Sequence, residues 1–94
     1  MDSFVCFIDV TGRSIYLSKE RWKHIQRHRH ISDSMEKIKE TLIKPDVITT
    51  IQYDEDVRFY HRYYTDERQF LFVSIKYCKG HGFIITAFYT NKIQ

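Results

Sequence analysis

Turn-forming residues are scarce in this chain: three Gly and one Pro among 94 residues leave room only for short connections between elements. Cysteine is rarer still. Cys6 and Cys78 stand far apart with no CxxC spacing, so they read as two reduced, largely buried thiols rather than a disulfide framework. No apolar run approaches the roughly 20 residues that span a bilayer, and Met1-Asp2-Ser3 lacks the basic flank of a secretory signal. The expectation is a cytoplasmic protein with no membrane association. Internal repeats and low-complexity segments are absent as well.

What the chain does have is apolar and aromatic mass. Apolar residues make up 43% and aromatics 16%, with seven Tyr and seven Phe. That composition excludes disorder and favours a sheet-rich core. A chain of 94 residues is one domain, whose single core every element must share. The net charge of +3 is modest, yet it is unevenly placed. Between Arg13 and His30, Arg13, Lys19, Arg21, Lys23, Arg27 and Arg29 stand against the single Glu20, with three histidines among them. A phosphate backbone would suit that excess, and so would the solvated helix face of a mildly basic protein.

Phe4 to Val10 is rich in strand formers, Thr11-Gly12-Arg13 reads as a turn, and Ser14 to Leu17 can return as a second strand, which together predict an extra N-terminal hairpin. Ser18 has the chemistry of a helix N-cap, and Leu17 with Trp22 forms a hydrophobic staple around it. Helix one is expected from about Lys19 to Arg29. Asp33 and Glu36 have capping-box spacing, and Met35, Ile38 and Leu42 repeat at three and four residues; this second helix stops at Lys44 before Pro45. The period then becomes two. Val47–Tyr53, Val57–Tyr64, Phe70–Tyr77 and Phe83–Thr90 read as four strands whose short connections permit only antiparallel neighbours. The predicted fold is α+β: two N-terminal helices packed on one face of a four-stranded antiparallel sheet.

Strand parity assigns faces to the polar residues. Leu71, Val73 and Ile75 take the core side and send Ser74 and Lys76 outward. Phe83, Ile85, Ala87 and Tyr89 do the same and leave Thr86 outward, while Val57, Phe59 and Tyr63 leave Arg58, Tyr60, Arg62 and Tyr64 on the open face. Cations interleaved with tyrosine rings are what unpaired nucleic acid needs. On helix one, His24 and His28 lie four residues apart on one stripe, away from Trp22 and Ile25. Three readings stay open for this pair: half of a zinc site, although no carboxylate or Cys stands at a recognised spacing; one imidazole buried against the sheet; or acid–base and phosphate-binding work. His30, His61 and His81 read as structural or incidental, although His81, in a Gly-flanked turn, could line a site.

The order Trp22-x-His24-Ile25-x-Arg27-His28, a helix ending at Pro45-Asp46, Tyr60-x-Arg62, a strand closing on Ile75-Lys76, and finally Gly82-Phe83-Ile84-Ile85-Thr86-Ala87-Phe88-Tyr89 resembles the phage-associated nuclease domains of the barnase, EndoU, colicin and RelE-like superfamily. The likeness spans about Leu17 to Lys92, with Phe88 where a Tyr is commoner. It implies two helices on a four-stranded antiparallel sheet and metal-independent RNA cleavage on the sheet's open face, with no cofactor. His24, His28, Arg62, Lys76 and Thr86 match family positions implicated in the active site, and Arg27, Arg58, Tyr60 and Tyr64 are the expected substrate-binding residues. Such members often act as toxins beside an antitoxin protein or as effectors of phages and mobile elements. The expectation is therefore a small endoribonuclease whose partners are RNA and an antitoxin, leaving 2′,3′-cyclic phosphate and 5′-hydroxyl ends. Its alternative is a non-catalytic RNA-binding or partner-binding module on the same face.

Overall fold

The computed structural model describes residues 3–27 and 35–94. β1 (Ser3–Ile8) and β2 (Ser14–Ser18) form the expected hairpin. Its turn is organised by Asp9, whose Oδ1 accepts from the Thr11 amide at 2.8 Å, the Thr11 hydroxyl at 2.6 Å and the Arg13 amide at 3.0 Å. Gly12 supplies the positive φ of 87° that the reversal needs. Ser18 ends β2 and caps α1 (Lys19–Gln26), its hydroxyl accepting from the Arg21 amide at 3.1 Å. Arg27 is the C-cap of α1; His28 and Arg29 of the expected helix, and Asp33 of the expected capping box, lie outside the described residues.

α2 (Met35–Ile43) ends one residue short of the expected stop. Two of the carbonyls at its end find donors elsewhere: the Val10 amide reaches Leu42 O at 2.8 Å, and Arg62 Nη1 reaches Lys44 O at 2.8 Å. β3 (Val47–Ile51), β4 (Asp54–Tyr64), β5 (Gln69–Cys78) and β6 (His81–Thr90) then form the predicted antiparallel meander. Lys79 (φ 52°) and Gly80 (φ 85°) make the two-residue turn between β5 and β6; positive φ at both central positions matches the right-handed twist of a tight hairpin.

The sheet is larger than expected. Six strands run in the order β1-β2-β6-β5-β4-β3, because the N-terminal hairpin joins the meander rather than standing apart. The joint is a parallel pairing of β2 with β6, Ile15 opposite Gly82 and Tyr16 opposite Phe83. Both helices and three strands separate these partners in sequence, which is connection enough for a parallel alignment. A Cβ built on Gly82 would stand 2.8 Å from Ile15 Cδ1 and from Ile75 Cγ2. The missing side chain is what allows β2 to come this close.

Both helices pack on one face, where Ile15, Leu17, Ile25, Ile38, Leu42, Leu71, Val73, Ile75 and Ala87 are fully enclosed. Register corrects two of the expected faces. Tyr60 pairs with Val73 and Arg62 with Leu71, so Arg58, Tyr60, Arg62 and Tyr64 point to the helix side and Val57, Phe59, His61 and Tyr63 to the open side. Tyrosine can take core positions here because each hydroxyl has partners within reach: Tyr60 lies 2.7 Å from the Tyr77 hydroxyl, and the Tyr64 proton faces Glu40 Oε1 at 2.8 Å with Lys37 O as an alternative acceptor at 3.0 Å. In β6, Ile84 faces Ile75 while Thr86 faces Ser74. Ile85 is thus an extra residue, a bulge that breaks the alternation. Ile84 and Ala87 both turn inward as a result, and Phe83 turns to the open face. The thiols also depart from expectation. Cys6, on the edge strand, and Cys78, at the end of β5, are both exposed.

Candidate active site

β2 and β6 pair over only two residues before they part. β2 runs into the cap of α1, and β6 bulges at Ile85. A cavity of about 470 Å³ opens at the parting, lined by Tyr16 and Ser18 from β2, Glu20 and Arg21 from the first turn of α1, and Phe83, Ile84 and Ile85 from β6. It therefore joins the open face of the sheet to the start of α1. His24 follows Glu20 by four residues, which places it one turn along the same stripe of the helix. His24 is exposed and Ile25, on the other side, is buried.

On the open face beside this cavity, Lys76 lies in register with Phe83, and Thr86 with Ser74. These four side chains share one side of neighbouring strands. The Lys76 ammonium is 3.0 Å from Asp54 Oδ2, a half-exposed pair. That contact holds Asp54 below the usual carboxylate range. His81 begins β6 on the same side. Its ring meets Tyr16 edge-on at 5.7 Å and Phe83 at 5.1 Å, so an imidazole packs against two of the rings that line the cavity. The Gly-flanked turn allows His81 to line a site without requiring it. The signal that locates it is the Lys79-Gly80 turn, which puts Cys78 opposite His81 and fixes the parity of the whole strand.

Further across the open face, aromatic rings form a continuous floor. Phe72 stands 4.9 Å from Phe59, 4.6 Å from Phe88 and 5.4 Å from His61. His61 is wholly buried, with Nε2 accepting the Gln94 amide at 2.9 Å. That bond leaves the proton on Nδ1, which has no hydrogen-bond partner of good geometry among the described residues. Burial pushes the imidazole below its ordinary pKa, only partly opposed by the backbone of Val47 and Phe59.

The remaining expected site residues do not gather here. Arg62 lies on the helix side, bonded to Lys44 O and 3.5 Å from Glu40 Oε1, where it ties β4 to the end of α2. The expectation that Arg62 and Lys76 stand side by side is corrected: adjacent strands carry them on opposite faces. Tyr60 is inaccessible and Tyr64 nearly so, so neither offers a ring for stacking. Burial pushes the Tyr64 hydroxyl up to about 12. Arg27 is exposed at the end of α1. His28 lies outside the described residues. Among the described residues, no three His, Cys, Asp or Glu side chains converge as a metal would require, and no helix is long and apolar enough to cross a membrane.

The sequence profile of a phage Barnase-EndoU-ColicinE5/D-RelE-like nuclease family, the second of that description, matches residues 1–94. The chain belongs to this family. No curated protein and no solved structure matches it. Membership makes the chain nuclease-like and phage-associated, and agrees with the resemblance carried by the helix-one histidines and the last strand. Two helices on an antiparallel meander are present as that resemblance implies, with the hairpin added as two further strands.

Proposed function

We propose that this protein is a metal-independent endoribonuclease whose active site is the cavity where β2 and β6 part, together with the adjoining open face. The observation that carries the reading is the placement of Lys76, Thr86, Ser74 and His81 on one face beside the cavity. An ammonium and the Thr86 hydroxyl can hold a phosphate and stabilise charge gathering on its oxygens, above a buried Ser74, and an imidazole can move a proton near neutral pH. Phe59 and Phe88, half-buried on either side of the buried Phe72 ring, supply stacking surface for unpaired bases.

RNA provides its own nucleophile. In the proposed reaction the 2′-hydroxyl gives its proton to one imidazole as the O2′–P bond forms. The P–O5′ bond breaks, and a second group returns a proton to the departing 5′-oxygen, leaving a 2′,3′-cyclic phosphate and a 5′-hydroxyl. His81 borders the cavity from the sheet, and His24 from the helix stripe that begins at Glu20; these are the two proton carriers we assign. Lys76 and Arg21 bring the positive charge, and Thr86 orients the phosphate. The phage association of the family supports a toxin or mobile-element role in the cytoplasm, with an antitoxin as protein partner.

The test is cleavage of a mixed-sequence RNA in excess EDTA with analysis of the product ends. Cyclic phosphate and 5′-hydroxyl ends are expected from the wild type, and little product from His81→Ala or Lys76→Met. Cleavage that vanishes in EDTA and returns with a divalent metal, or ends bearing 5′-phosphate, would overturn the mechanism. The floor of rings also suits an RNA-binding module without catalysis, and the same assay separates the two: binding without cleavage leaves only the module.

A further inference from the structure

At the end of the sheet beyond the helices, two guanidinium groups share one ring. Arg13, from the β1–β2 turn, lies 4.9 Å from the centroid of Tyr77, and Arg58, from β4, lies 5.2 Å from it. Both are half-buried, and neither pairs with a carboxylate among the described residues. The ring itself is fixed from below. The Tyr77 hydroxyl donates to Asp9 Oδ2 at 2.5 Å and lies 2.7 Å from the Tyr60 hydroxyl. Asp9 also orders the turn that carries Arg13. A groove of about 370 Å³ runs beside the ring, with Lys79 at its rim and Asp56 as the one acidic side chain in its lining.

A guanidinium stacked on a ring keeps its edge donors free and its plane fixed, which is the arrangement that grips a phosphate. Arg58 and Tyr77 belong to the helix side of their strands and Lys76 to the open side, so the groove, which Lys76 also lines, wraps the end of the sheet and meets the cavity's face only there. Arg13, in the turn just before β2, stands three residues before Tyr16, about 10 Å at the usual rise of a strand and with the opposite parity.

We propose that this end of the sheet is a subsite for a backbone phosphate of the substrate, held by Arg13 and Arg58 at the Tyr77 ring beside the groove, where the nucleic-acid strand passes around the sheet end from the cavity's face. The inference rests on the reading that the substrate is a nucleic acid, and not on catalysis. The ligand class is a phosphodiester of single-stranded RNA. Lys79 adds further positive charge at the rim.

The experiment is fluorescence anisotropy with a labelled, fully 2′-O-methylated oligonucleotide, which cannot be cleaved through its own 2′-oxygen, titrated across a series of salt concentrations. Arg13→Gln, Arg58→Gln and the double variant are compared with wild type, alongside Lys79→Asn, which removes charge at a position where Asn tolerates positive φ. The double variant should bind about 10-fold more weakly, and its slope of log affinity against log salt should be shallower by about 0.7, the loss of one phosphate contact on a single strand. Lys79→Asn should fall between wild type and the double variant, and Arg13→Lys with Arg58→Lys should recover part of the affinity. Thermal melting shows which variants are folded; should Arg13→Gln or Arg58→Gln unfold, Lys79→Asn decides by the same slope. Unchanged affinity and slope in folded variants would overturn the subsite even where the wild type cleaves RNA. Salt-dependent, arginine-dependent binding by a wild type that never cleaves would uphold the subsite and sink the catalytic reading alone. A wild type that does not bind the oligonucleotide sinks both.

Discussion

The Tyr77 hydroxyl donates to the carboxylate of Asp9 at 2.5 Å, joining the end of β5 to the first turn of the chain across 68 positions. Asp9 is almost wholly buried and receives four hydrogen bonds, from the Thr11 amide and hydroxyl, the Arg13 amide and the Tyr77 hydroxyl, while the Tyr60 hydroxyl, 2.7 Å from that of Tyr77, lies 3.3 Å away. A carboxylate can afford such a position only because every lone pair is engaged. The geometry of the whole Arg13 end of the molecule hangs on it.

Asp9→Ala should therefore destabilise the fold by ~3 kcal/mol or more, since it strands several buried donors at once. Urea denaturation measures this, and a loss under 1 kcal/mol would show that water replaces the carboxylate. The pH dependence has a definite sign. Burial alone would raise the Asp9 pKa, but the hydrogen bonds from Thr11, Tyr77 and Arg13 outweigh it and hold the group below its ordinary value of 3.8. Its stabilising contribution is thus complete above about pH 4 and is lost as pH falls through the native value. Asp9→Asn should flatten that acid limb.

His61 titrates in a different window. Its imidazole is buried neutral and its pKa is lowered from 6.5, so its contribution to stability is present above about pH 6.5 and declines as pH falls toward the native value. Wild type should unfold at lower urea at pH 5 than at pH 7.5. His61→Phe, which keeps a ring against Phe70 and Phe72, should lose most of that difference, although it also loses the acceptor for Gln94. Equal pH sensitivity in the two proteins would assign the effect to other groups.

The difference between what sequence made legible and what it hid follows from periodicity. The Ser18 cap, the two helices, the hairpin and the four-strand meander are local patterns, and each is present. Faces were readable where one parity was plainly more apolar, as with Leu71, Val73 and Ile75. In β4 both parities are half apolar, and the choice turned on hydroxyl partners, Tyr77 for Tyr60 and Glu40 for Tyr64, that sequence separation conceals. The bulge at Ile85 and the parallel β2–β6 joint carry no local signature at all. For the site, Lys76 and Thr86 were placed on the correct face, Arg62 on the wrong one, and His81 was allowed but not required, because only the turn geometry brings it to Tyr16.

Gly82 tests that joint. A methyl there would sit 2.8 Å from atoms of both Ile15 and Ile75, well inside contact distance. Gly82→Ala should cost ~1 to 3 kcal/mol through overpacking of the β2–β6 seam. Because the cavity opens where this seam ends, nuclease activity of the folded fraction should fall as well. Ile15→Val in the same background should restore part of the stability, measured by thermal melting, since it trims the side chain that the new methyl meets. No recovery would mean that backbone displacement, not this clash, sets the cost.

The opposite faces of Arg62 and Lys76 give the sharpest discrimination between a structural and a catalytic cation. Arg62 bonds Lys44 O and sits beside Glu40, so Arg62→Lys loses the fork that spans both and should lower stability by about 1 kcal/mol while leaving single-turnover RNA cleavage close to wild type. Lys76 is half-exposed and its pair with Asp54 is a surface ion pair, so Lys76→Met should leave stability within about 1 kcal/mol. Its cleavage should drop at least ~100-fold, the scale on which losing one charged contact in a transition state is felt. Binding of the uncleavable oligonucleotide should weaken far less, because the ammonium acts where charge develops rather than where the ground state sits. A reversal of this pattern, with Arg62→Lys catalytically crippled and Lys76→Met active, would move the active site to the helix side of the sheet.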